Sequence, residues 1–121
     1  MILLLVKHEI KPGIIQVEMK GSIHSGTDCR RLEQEVEGLI KTGSLRVIFD
    51  LAQVTHIDSA AIGSMVKCFS QLKKAGGVLR ISGATGMLEG SFKLTKVDRV
   101  ISLFPNAAAA AEDFPLPGAP A

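Results

Sequence analysis

The chain has 121 residues, of which 46% are hydrophobic, 21% charged and 4% aromatic, a balance that fits one globular domain with a real core and excludes a disordered chain. Its formal net charge is +2, with lysine and arginine interspersed among aspartate and glutamate, so neither a nucleic-acid surface nor a polybasic membrane patch is indicated. Tryptophan and tyrosine are missing, which removes the stacking platform of a single-strand binder, and no stretch has the length of a membrane span.

The apolar opening Met1 to Val6 runs directly into Lys7, His8 and Glu9. Without a basic leading region or a small-residue cleavage site it reads as a strand, not as a targeting segment. Lys11-Pro12-Gly13 carries turn chemistry, and Ile15, Val17 and Met19 alternate with Gln16, Glu18 and Lys20, so the first two strands form a hairpin. From Thr27 onward Cys29, Leu32, Val36, Leu39 and Ile40 share one helical face, with Ser25 or Thr27 as cap and Gly43 as stop.

Val47-Ile48-Phe49 with Leu51 is a short apolar run ending at Asp50, as expected of a central strand buried on both faces. A loop from Ala52 to Ser59 leads to a second helix whose apolar positions are Ile62, Met65, Val66, Phe69 and Leu72. Phe69 and Val47 are expected to be well buried between that helix and the sheet. Gly76-Gly77 ends the helix before the strand Val78 to Ile81, and a helix between two strands implies a parallel pair. Leu88 and Phe92 mark a short third helix, Val100 to Phe104 a last strand, and Asn106 the cap of an alanine-rich final helix. The order is β-β-α-β-α-β-α-β-α, an α/β fold with a mixed sheet. Residues 1–114 make the domain and residues 115–121 a proline-rich flexible tail.

Ligands and partners of such a sheet meet the loops at the carboxyl ends of its parallel strands, which directs attention to the segment ending in Ile57-Asp58-Ser59-Ala60-Ala61-Ile62-Gly63. Ser59 stands where the second helix begins. Read as structure, it is an N-cap serine; read as function, it is a phosphorylation site, because a helix N-terminus tolerates added negative charge.

Asp50-Leu51, the Ile57 to Gly63 motif, Gly76-Gly77 and Leu94-Thr95-Lys96-Val97-Asp98 together resemble the STAS domain, in particular the stand-alone bacterial anti-sigma factor antagonists. The resemblance covers nearly the whole chain and implies a STAS-like mixed sheet, with a mostly parallel centre and about four helices. It implies a binding protein and not an enzyme: a cytoplasmic, phosphorylation-switched antagonist that, unphosphorylated, binds an anti-sigma factor with serine kinase activity and frees a sigma factor. Ser59 matches the family's phosphorylated serine, and Asp58 the aspartate before it. The implied contact surface is Asp58, Ser59, Ala60, Ile62 and Gly63, with His24 and His56 in neighbouring loops. ATP and magnesium belong to the kinase, no cofactor to this chain, and a serine phosphatase would reset the switch. The chain departs from the family pattern at Ala60 and Ala61, where a second serine and a glycine often stand, and at His24, where an acid often stands. The alternative is a STAS-like structural subunit of a larger assembly, such as a lipid-transport complex, without phosphorylation.

Other chemistries have weaker support. His24 and His56 near Asp50 and Asp58 have no ligand spacing on one helix, so no metal is expected, and His8 reads as a surface strand residue. Ile57 and Ala61 fill the glycine positions of a nucleophile elbow, which disfavours a hydrolase. Gly83-Ala84-Thr85-Gly86 is too short for a nucleotide-binding fingerprint. A receiver-type phospho-acceptor at Asp50 would need an acidic pair after the first strand, and His8-Glu9-Ile10 supplies none. Cys29 and Cys68 lack a redox or zinc spacing and read as buried, reduced thiols.

Overall fold

The computed structural model describes residues 2–116, so of the expected tail residues 117–121 lie outside the described residues. Its strands are β1 (Leu4–Lys11), β2 (Ile14–Ile23), β3 (Arg46–Ile57), β4 (Val78–Ser82) and β5 (Leu103–Phe104). The helices are α1 (Thr27–Lys41), α2 (Ser59–Lys74), α3 (Gly86–Leu94) and α4 (Ala107–Ala111). The strands lie in the order β1-β2-β3-β4-β5. β1 and β2 are antiparallel, while β2·β3, β3·β4 and β4·β5 are parallel. The mixed α/β architecture expected from the hydrophobic pattern is the one observed.

The central strand explains the layering. Val47, Phe49 and Leu51 point into the main core beneath α1, α2 and α3, whereas Ile48 points the other way and packs with Ile14, Ala110, Ala111 and Phe114 under α4. Alternation with apolar residues on both faces is what a strand covered on both sides requires. On the second face Arg80 fixes α4. Its guanidinium lies 4.9 Å from the Phe104 ring and 4.3 Å from the Phe114 ring, and it donates to the Ala110 and Glu112 carbonyls at 2.8 and 2.9 Å. It thereby satisfies carbonyls at a helix C-terminus that have no partner within the helix.

Several local expectations are corrected. The Ala52 to Ser59 segment is not a loop: β3 continues to Ile57 and stays paired with β2 as far as Ile23↔Ile57, although its pairing with β4 stops at Asp50↔Ser82. Breaks in register between Glu18 and Lys20 and between Gly21 and Ser22 disturb the alternation by which a strand is recognised. The last strand is only Leu103–Phe104, because Val97–Arg99 is wound into a single 3-10 turn. Helix α1 starts behind Gly26 without a side-chain cap, so neither Ser25 nor Thr27 caps it. In α2 the buried residues are Ala61, Ile62, Ser64, Met65, Cys68 and Leu72. Phe69 is only half-buried, with Lys73 Nζ 5.9 Å from its ring centroid. Val47 is fully buried as expected. The Asn106 side chain does cap α4, accepting from Ala109 N–H at 2.8 Å.

The crossing of β4 with its neighbours depends on two glycines. A Cβ on Gly77 would fall onto the carbonyl of Leu45, the same carbonyl that accepts Val78 N–H at 2.9 Å. Gly83, at φ +74, passes so close to Ala52 that a Cβ would stand 2.8 Å from its backbone nitrogen. A side chain at either position would push the β4 ends away from the strand that leads to Asp58.

Candidate functional site at the start of the second helix

The end of β3 delivers Asp58, whose backbone N–H donates to the Ile23 carbonyl at 3.3 Å. Asp58 is the N-cap of α2, with extended backbone angles, and Ser59 is the first residue inside the helix. The expected serine cap is thus displaced by one residue. Asp58 Oδ1 accepts Ala61 N–H at 2.8 Å, satisfying one of the helix's unpartnered N-terminal donors.

The other carboxylate oxygen reaches across the site. Asp58 Oδ2 accepts the backbone N–H of Ser25 at 2.8 Å, and His24 Nδ1 stands 3.9 Å from it. These bonds hold the Asp58 carboxyl below the usual carboxylate range, the Ala61 N–H contributing most, then Ser25 N–H, with the imidazole a lesser influence. The β2–α1 segment is tied further by Asp28, whose Oδ2 accepts His24 N–H at 3.0 Å, and by Cys29 Sγ, 3.4 Å from the His24 carbonyl.

Beneath this surface the two long helices are joined. Ser64 donates to Glu33 Oε2 at 2.9 Å, with the Cys29 carbonyl 3.3 Å from the same hydroxyl. Lys67 Nζ stands 2.8 Å from Glu33 Oε1. The Lys67 bond foremost, then that of Ser64, lowers the Glu33 pKa. Burial raises the Cys29 thiol and pushes that of Cys68 up to about 12, so both thiols stay protonated at neutral pH.

The structure therefore gathers Asp58, Ser59, Ala60, Gly63 and His24 at one end of the molecule. Ser59, Ala60, Gly63 and His24 are exposed, and a Cβ on Gly63 would meet nothing within 4 Å. Two of the expected contact residues lie elsewhere. Ile62 is 8% exposed and part of the core, so it supports the surface from below. His56 is exposed on β3, where with Thr55, Ile57, Met87, Leu88 and Ser91 it lines a small cavity of about 60 Å³ against α3. Asp28, Glu33, Ser64 and Lys67 stand beside or beneath this surface, and sequence reading did not single them out. Only the acid before Ser59 carried a signal, since aspartate caps helices as well as serine does.

Among solved structures the chain is similar to a protein from Thermotoga maritima described as a candidate anti-sigma factor antagonist, at 17% identity over 91% of this chain and 93% of that one, with a TM-score of 0.82. It is also similar to the Bacillus cell fate determinant SpoIIAA in its phosphorylated form, at 10% identity over 88% of this chain and 96% of that one, with a TM-score of 0.69. A sulfate transporter family protein from Wolinella succinogenes matches at 16% identity over 84% of each chain, with a TM-score of 0.67. These likenesses establish the fold, and the last is described as belonging to a transporter family. Residues 6–110 match the family model described as the STAS domain.

Proposed function

We propose that this chain, which belongs to the STAS domain family, acts as an anti-sigma factor antagonist, a binding protein whose partner is an anti-sigma factor with serine kinase activity and whose switch is Ser59. Unphosphorylated, it offers the partner the end of the molecule carrying Asp58, Ser59, Ala60, Gly63 and His24, and so frees a sigma factor in the cytoplasm. The kinase brings ATP and magnesium, and a serine phosphatase resets the switch.

The observation that carries this reading is the position of Ser59: exposed, in the first turn of α2, directly behind an aspartate that already caps the helix. Its hydroxyl is not needed to close the helix, so a kinase can take it without unfolding anything. A phosphate there adds about −1.5 to −2 charges beside Asp58. The helix end tolerates that charge, while a partner surface shaped to the neutral serine is repelled by it. The similarity in fold to SpoIIAA in its phosphorylated form supports the same reading.

Incubation with the anti-sigma kinase and ATP tests it: the intact mass should rise by one phosphate, mapped to Ser59, and Ser59→Ala should remain unmodified. Phosphate on Thr55 or Ser64 with Ser59 untouched would overturn the assignment. Full-strength binding of a transporter ATPase, with no kinase partner, would instead favour a structural subunit.

A further inference from the structure

Ile2, Leu4 and Val6 are 80%, 53% and 47% exposed. All three lie on or just before β1, the strand at one edge of the sheet. The opposite edge, β5, is only two residues long and offers almost no free ladder. β1 has 8 residues, and its register with β2 is regular until a break between Glu9 and Lys11. A long, regular edge with apolar side chains is a template for another strand; proteins that remain monomeric blunt such edges with lysines and other charges, proline or bulges, and in β1 the charges, Lys7, Glu9 and Lys11, and the break after Glu9 all lie beyond Val6.

Symmetry limits how this strand pairs with its own copy. An antiparallel edge-to-edge pair that continues the sheet needs a two-fold axis perpendicular to it, and opposed residues must point to the same face. The axis therefore lies between one residue and its own copy; at Leu5 it would leave only Leu4 to Val6 of β1 facing their copies. Centred on Lys7, the pair opposes two lysines, which destabilises it. Centred on His8, it runs into the irregularity after Glu9. Centred on Val6, it stays inside the regular part and opposes Val6 to Val6, Leu5 to Lys7 and Leu4 to His8, so no like charges meet; the pairing ends there, because the Leu3 carbonyl accepts from Arg31 at 2.6 Å. Lys7 is already paired with Glu35 at 3.2 Å, which neutralises the remaining cation near the axis. The exposed Leu4 and Val6 of both copies then form one apolar strip.

We propose that β1 pairs with β1 of a second copy about an axis at Val6, giving a symmetric dimer with a continuous ten-stranded sheet. The axis reverses β2, β3 and β4 in the second copy, so the two Ser59 ends point in opposite directions and both stay open to a partner. This dimer does not depend on the phosphorylation reading and stands or falls separately from it.

Sedimentation velocity on the full chain over a dilution series tests the proposal. A strand-edge contact of this size should dissociate in the range of about 10–100 μM. Val6→Lys should be monomeric throughout with the wild-type melting temperature, since the side chain is half outside. Val6→Cys is placed on the axis, where opposed Cβ atoms are about 4.5–5.5 Å apart, near the span of a disulfide. Under oxidation it should yield a covalent dimer in excess of both the wild-type chain and Leu4→Cys. A wild-type chain that stays monomeric at concentrations about tenfold above that range, or a dimer that survives Val6→Lys, would overturn the proposal. Should Val6→Lys fail to fold, equal cross-linking of Val6→Cys and Leu4→Cys overturns it instead.

Discussion

Asp58 Oδ2 accepts the backbone N–H of Ser25 at 2.8 Å across 33 positions of the chain, while the other oxygen of the same carboxylate caps α2 through Ala61 N–H. One side chain thus holds the two segments that flank Ser59 at a fixed separation.

Asp58→Ala should remove both bonds and lower stability by about 1–2 kcal/mol, the usual cost of a lost cap. Asp58→Asn should recover about half, because its single carbonyl oxygen can serve only one of the two donors. Urea melts measure the loss, and faster amide exchange at Ser25 in the alanine variant would locate it.

Ser59→Ala should leave stability within about 0.5 kcal/mol of wild type, since the cap belongs to Asp58. Ser59→Asp should fold equally well yet bind the kinase partner about ten- to a hundredfold more weakly than Ser59→Ala, a partial mimic of phosphate. Calorimetric titration beside thermal melts separates the two effects. Equal affinities for the two variants would favour the structural-subunit reading.

Acid should loosen this end of the molecule. Both Asp58 and Glu33 have pKa values below the ordinary range, so each adds stability at pH above its unfolded value of about 4. That contribution fades as pH falls through the lower, folded values. Denaturation midpoints at neutral pH and near pH 3 should therefore differ more in wild type than in an Asp58→Asn, Glu33→Gln double variant.

Helix α2 should show its true phase in core substitutions. Met65 is fully buried, so Met65→Ala should cost about 2–5 kcal/mol. Phe69→Ala should cost less, about 1–2 kcal/mol, because the ring is only partly buried and its rim lies beside Lys73. The reverse order in urea melts would mean that the helix is rotated.

Gly63→Ala and Gly77→Ala should move stability in opposite directions. At Gly63 an added methyl meets open space in an exposed helix position and should stabilise by about 0.5–1 kcal/mol. At Gly77 it collides with the Leu45 backbone and should cost about 1–3 kcal/mol. If Gly63 is flat because a partner rests on it, the stabilised Gly63→Ala variant should also bind the kinase more weakly.

Hydrophobic spacing by itself determined the order of elements, the hairpin at the start and the two-sided burial of Val47, Ile48 and Phe49, because these follow from local periods of two and near four residues that no distant contact can alter. The Asp-Ser pair was equally legible as the entry to α2. Which of the two residues caps the helix was not, since aspartate and serine serve that position alike, and the choice fell to Ser25, whose backbone N–H lies 33 positions away and engages Asp58. The length of β3 was hidden for a similar reason: Ala52 to Ile57 has little apolar alternation of its own, and becomes a strand only because β2 continues beside it. The partial burial of Phe69 was decided by which face of α2 meets the sheet, where Cys68 and Leu72 turn inward and the larger ring is left at the rim.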